Sequence, residues 1–166
     1  MAVATLISVE EYLHSIYHPD CDYVDGEVQE RNWGEKDHSS TQRNIIIYFA
    51  RNYPGLRDRL LPEQRVQVGA TRFRIPDVCI LAEDAPNEQI IRTAPVLCIE
   101  ILSPEDRMSR YLDRVKDYFD MGVPVCWIID PSARRAWVAK PGLLVEAEDG
   151  ILRADNLEMS VEAVLE

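Results

Sequence analysis

The chain has 166 residues, of which 46% are apolar and 28% charged, enough hydrocarbon for one domain spanning 1–166 with a sizeable core. Its start, Met1 to Leu6, has neither a basic segment nor a long apolar run, and no stretch approaches the roughly 18–20 apolar residues of a membrane span, so a soluble, unexported cytoplasmic protein with no membrane partner is expected. The formal charge of −11 argues against sequence-independent binding of a polyanion, which depends on Lys and Arg.

That charge is unevenly spread. Beyond residue 140 the acids Glu146, Glu148, Asp149, Asp155, Glu158, Glu162 and Glu166 face Arg153 alone, whereas bases outnumber acids between residues 31 and 76. Arg43, Arg51, Arg57, Arg59, Arg65, Arg72 and Arg74 either form an anion-attracting surface or are solvated one by one.

In chain order, Ser8 to Tyr17 reads as a short helix, with Ser8 as N-cap and Glu11 three residues on, ending before Pro19. Asp25-Gly26 between two short alternating runs predicts a tight hairpin over 22–29. A helix over about 39–53 is expected from Ile45, Ile46, Tyr48 and Phe49 before Pro54-Gly55. Strands are expected at about 64–69, 72–81 and 95–102, then a helix over 107–121 with Met108, Leu112, Val115 and Phe119 on its apolar face and Gly122 and Pro124 as its stop. The run from Val125 to Asp130 returns as a buried strand, giving a βαβ-like unit and a mixed sheet covered by helices. Residues 135–139 and 143–146 around Pro141-Gly142 predict a closing hairpin. No internal repeat or low-complexity linker is visible.

Glu100 stands alone in the apolar run Val96-Leu97-Cys98-Ile99-Glu100-Ile101-Leu102. Burying an unpaired carboxylate there costs several kcal/mol, roughly, so a metal, a cation or a proton must compensate it. Asp77 opens a second apolar run directly after Pro76, and two acids on neighbouring strands are a way to hold a hard divalent cation. The cysteines at 21, 79, 98 and 126 form no CxxC, and three of them sit in strand-like runs, so reduced core thiols are expected.

Asp25-Gly26-Glu27, Ile75-Pro76-Asp77-Val78, Ile99-Glu100-Ile101-Leu102-Ser103-Pro104, Lys116 to Pro124 and Trp127 to Pro131 occur in the order found in the Uma2 family, also called DUF820. The chain resembles that family over roughly residues 5–140, and the resemblance implies an endonuclease of the PD-(D/E)xK superfamily. The implied fold is α/β and restriction-endonuclease-like, a central mixed sheet flanked by helices with a β-hairpin near the N-terminus. Asp77 and Glu100 match the motif's acids. The superfamily lysine would fall at Leu102; Lys116 on the following helix, one of three lysines in the chain, matches the family's replacement for it. Helical geometry puts Lys116 at the edge of the apolar face near Leu112 and Phe119, where it leans towards the sheet or merely shields that face. Glu27 matches a family acid and His38 a family histidine; each has an ordinary reading too, as a hairpin glutamate and a helix-start histidine.

The implied chemistry is hydrolysis of nucleic-acid phosphodiester bonds, DNA in the first instance. Asp77, Glu100 and the Ile101 carbonyl would hold Mg2+, or Mn2+ in its place, with Lys116 orienting the attacking water and Glu27 a second metal or the water. Nucleases of this fold often act as dimers, so a homodimer is implied as well. A second class of answer is a noncatalytic binding or assembly module that keeps the fold, with Glu100 neutral or paired with an arginine such as Arg74. A third is a hydrolase of small phosphoesters.

Overall fold

A computed structural model describes residues 5–31 and 35–165. Helix α1 (Val9–His14) starts where the Ser8 hydroxyl accepts the Glu11 amide at 3.1 Å, the N-cap the sequence called for. Strands β1 (Asp22–Val24) and β2 (Glu27–Gln29) form the expected hairpin, and Asp25 and Gly26 at its tip both have positive φ, 50° and 102°. After helix α2 (Lys36–Asn52) and a 3-10 turn at Pro54–Arg59 come β3 (Leu60–Pro62), β4 (Val66–Gly69), β5 (Arg72–Arg74), β6 (Val78–Ile80) and β7 (Leu97–Ile101). Helix α3 (Met108–Met121) leads to β8 (Cys126–Asp130), the hairpin β9 (Arg135–Lys140) and β10 (Leu143–Glu146), and a last hairpin, β11 (Ile151–Ala154) and β12 (Leu157–Ser160). Gly122, φ 110°, caps α3 in the left-handed conformation expected of it.

A six-stranded mixed sheet runs β10-β9-β8-β7-β6-β3, and a four-stranded antiparallel sheet runs β2-β1-β5-β4. Only β7 and β8 are parallel in the larger sheet, and α3 connects them as the βαβ reading requires. This is the mixed sheet flanked by helices that was expected. No helix among the described residues is long and apolar enough to cross a membrane.

Side chains alternate across the central strands, so each strand serves two different cores. On one face Val78, Ile80, Leu97, Ile99, Ile101 and Trp127 pack beneath Ile45 and Phe49 of α2. On the other Cys79, Cys98, Cys126 and Ile128 lie beneath Tyr111, Val115 and Tyr118 of α3. The three cysteines are register partners across β6, β7 and β8, and all four in the chain are buried and reduced.

Several expectations need correction. The predicted strand over 72–81 is two strands in different sheets, because the chain crosses between sheets at Ile75-Pro76-Asp77. Strand β3 was not foreseen. The acidic C-terminal stretch folds as β11 and β12, with Leu152, Ala154, Leu157 and Met159 in the α2-side core and the acids turned outward. The buried face of α3 carries Tyr111, Arg114, Val115 and Tyr118, not Leu112, which is 40% exposed.

Candidate active site at the carboxyl end of the central strands

Asp77 and Glu100 are 3% and 1% exposed and point to the same side of the sheet. Asp77 continues the parity of Cys79 on β6 and Glu100 that of Cys98 on β7, so both face α3. The Asp77 Oδ2 accepts the Ile101 amide at 2.7 Å, tying the start of β6 to the end of β7. Its Oδ1 accepts from Arg31 Nη2 at 2.8 Å and lies 3.2 Å from His38 Nε2, while Gln42 of α2 donates to its carbonyl at 2.8 Å.

Glu100 Oε1 takes hydrogen bonds from Arg114 Nε and Nη2 at 3.2 and 3.1 Å and from the Tyr118 hydroxyl. Arg114 and Tyr118 lie four residues apart on α3, one helical turn, so both reach down to the same strand. Arg114 also donates to Asp22 Oδ2 at 2.8 Å and to the Ile75 carbonyl at 2.7 Å. Asp22 passes the pairing on to Arg74 at 3.0 Å, and Arg74 and Arg72 both bind Asp117 of α3, at 2.7 and 2.8 Å. Acids and guanidinium groups thus alternate from the buried strand out to the surface, so no charge in the row is left without a counterion.

Burial pushes the Glu100 carboxyl up to about 7, with Asp77 and Asp22 adding to the effect and Arg114 and Tyr118 opposing it. Burial would raise Asp77 as well, but the His38 hydrogen bond and the charges of His38, Arg31 and Arg114 hold it below the usual carboxylate range. His38 is raised in turn: burial opposes its charge, and the hydrogen bond and charge of Asp77 prevail. The two acids therefore differ in character, Asp77 firmly ionised and Glu100 poised near neutrality.

Both acids line a cavity of about 180 Å³ together with Arg31, His38, Arg110 and Arg114. His38 thus lies in the same cavity as Asp77 and Glu100. Lys116 does not: two residues past Arg114 on α3, it turns to solvent, 72% exposed, and binds Asp120 at 2.6 Å. The cation that leans onto the sheet is Arg114; Lys116, selected by its match to the family's lysine, borders a stripe read through Leu112 and Phe119, whereas the buried stripe runs through Tyr111 and Tyr118. Glu27 is exposed on β2 and is not among the residues lining the cavity; Asp22, on the opposite strand of this hairpin, does not line it either but is buried behind it against Arg114 and Arg74. The Ile101 carbonyl accepts the Tyr111 hydroxyl at 3.2 Å. Glu100 is paired with Arg114 and not with Arg74, which serves Asp22 and Asp117. Sequence reasoning missed Arg31, Asp22, Arg114 and Tyr118. A signal existed for the last two, since an arginine and a tyrosine four apart bracket Val115 on the buried stripe.

Among the described residues no three acids, histidines or cysteines are placed to hold a metal ion together. The acid pair suits a hard cation that asks little of the protein: Mg2+ is held through one or two carboxylates and leaves its other positions to water and substrate oxygens. Glu100 Oε2 takes no hydrogen bond from the described residues, so one acid oxygen is free to serve.

The family model for Uma2, described as "Putative restriction endonuclease", matches residues 9–164. A crystal structure of a putative nuclease belonging to DUF820 from Anabaena variabilis is similar in fold, with a TM-score of 0.79 at 20% identity, covering 96% of this chain and 97% of that one. No curated protein matches the chain. The family match supports a nuclease-like function and the binding of nucleic acid that goes with it.

Proposed function

The chain belongs to the Uma2 family, and from that premise we propose that it is a Mg2+-dependent endonuclease that hydrolyses phosphodiester bonds in DNA in the cytoplasm. The observation that carries the reading is that Asp77 and Glu100, from neighbouring strands, turn to one cavity rimmed by arginines.

Asp77 and Glu100 would hold the cation, with the Ile101 carbonyl beside them, and Mn2+ would substitute. When bound, the ion supplies Lewis acidity to a phosphate oxygen and to a water. Arg31 and Arg110, at the cavity wall, bind non-bridging phosphate oxygens, a task suited to the planar guanidinium fork. Arg114 keeps its charge at any working pH, so it cannot take a proton from water; it holds Glu100 in place and offsets charge gathered at phosphorus. Asp22 and Tyr118 position Arg114 and Glu100. Two copies in a homodimer would present one site to each strand of a duplex.

A second reading has a specific observation behind it. Each acid already carries a cation, Arg31 on Asp77 and Arg114 on Glu100, as a noncatalytic module with the same fold would. Nicking of supercoiled plasmid with Mg2+ or Mn2+ separates the two. Nuclease activity is expected for the wild type and for Lys116→Ala, and none for Asp77→Asn or Glu100→Gln. Plasmid left intact by the wild type, or cut equally by all four proteins, would refute the proposal.

A further inference from the structure

Strand β10 is an edge of the six-stranded sheet, and its residues Leu143, Leu144 and Val145 are 55%, 40% and 49% exposed. A run of three exposed apolar residues on an unpaired edge is the pattern that natural sheets otherwise blunt with charge or proline. The opposite edge is blunted in that way: β3 has three residues and ends in Pro62, which has no amide to offer.

We propose that β10 is a self-pairing surface through which two copies of this chain join antiparallel into one continuous sheet. The strand registers select this occupant. Leu143 pairs with Lys140, Leu144 with Ala139 and Val145 with Val138, so Leu143 and Val145 share one face and Leu144 the other. Directly opposed strand residues share a face, so a two-fold axis through Leu144 sets it against Leu144 of the second copy and each Leu143 against Val145 of the second copy. The apolar triplet is therefore its own complement. The hydrogen bonds agree, because the Ala147 amide donates to Ala136 at 2.9 Å on β9. Alternation then turns the amides of Leu143 and Val145 towards β9 and that of Leu144 outward, where the axis needs it.

Charge does not oppose the arrangement: in the same register Glu146, the one acid on β10, falls opposite Gly142 of the second copy and is already paired with Arg135 at 2.6 Å. Because β3 cannot accept β10 head to tail, the contact closes at two copies and does not grow into a fibre. This inference does not rest on the nuclease reading, since neither Asp77 nor Glu100 takes part in it.

The test is sedimentation of the full chain up to about 100 µM, a concentration at which a dimer of micromolar affinity is fully formed. The expected mass is twice 19.0 kDa for the wild type. Leu144→Pro, which removes only the outward amide, and Leu144→Lys should both give 19.0 kDa with an unchanged melting temperature. Leu144→Cys adds a surface thiol to a chain whose own cysteines are all buried, and it should yield a disulfide-linked dimer under mild oxidation. A monomeric wild type, a dimer that survives both Leu144→Pro and Leu144→Lys, growth beyond two copies, or no cross-link through Leu144→Cys would each overturn the proposal.

Discussion

The two faces of the central sheet are made by the same strands and differ in almost everything else. Beneath α2, Val78, Ile80, Leu97, Ile99, Ile101, Trp127 and Ile129 form hydrocarbon throughout. Beneath α3, the alternate residues of those strands are cysteines and aliphatics that give way at the carboxyl end of β7 to Glu100, with Asp77, Arg114 and Tyr118 around it. One face supplies stability through burial. The other accepts a buried ionic cluster, which contributes little net stability and is costly to break. A single strand can therefore be rigid on one side and chemically equipped on the other, and the rigid side fixes where Glu100 points.

Breaking either face should cost stability, but only one should cost chemistry. Phe49→Ala empties a site stacked on Trp127 at 6.0 Å and should lose about 3–5 kcal/mol in denaturant unfolding, with metal-dependent cleavage retained by the folded fraction. Arg114→Met leaves Glu100 and Asp22 buried without their shared cation and should also lose about 3–5 kcal/mol, here with cleavage abolished. Equal loss of cleavage in both variants would erase the distinction between the faces. Asp77→Asn sharpens it: cleavage should fall by at least about 10²-fold in plasmid assays while the fold persists.

A finer distinction comes from pH. Glu100 titrates near 7 in the folded chain and at about 4.5 when unfolded, so its protonated form is favoured by folding. That contribution is fully present below pH 4.5, falls as pH rises through 7 and is absent above. Melting temperatures of wild type relative to Glu100→Gln should therefore decline between pH 4.5 and 7 and then level off; a flat difference would show that Glu100 is ionised throughout. The smallest effect belongs to Lys116→Ala, which removes an exposed i,i+4 pair with Asp120 and should leave the denaturant midpoint almost where it is in the wild type, with cleavage unchanged.

Features carried by local chemistry were legible in the sequence. Asp25-Gly26 announced its hairpin, Gly122 its helix cap, and a lone glutamate among aliphatics the place where charge is buried. Features decided by long-range pairing were not. The six residues from Ile75 to Ile80 look continuous with Arg72–Arg74, yet Pro76 divides two sheets. Leu152-Arg153-Ala154 and Leu157-Glu158-Met159-Ser160 alternate apolar and polar residues about Asp155-Asn156, a hairpin signal masked by the surrounding acids. Arg31 and Arg114 were not singled out in the sequence, and it is the fold that brings their carboxylates within 3.2 Å. A long guanidinium side chain is marked as buried only by its place on a helical stripe, as Arg114 is beside Val115, whereas a carboxylate in an apolar strand stands out by itself.

Calorimetric titration of Mn2+ into the wild type and into Asp77→Asn and Glu100→Gln tests most directly whether the two acids form one cation site. Saturable heat is predicted for the wild type and for Lys116→Ala, with its loss in both acid variants. Absence of heat from the wild type, or equal heat from the acid variants, would contradict the account.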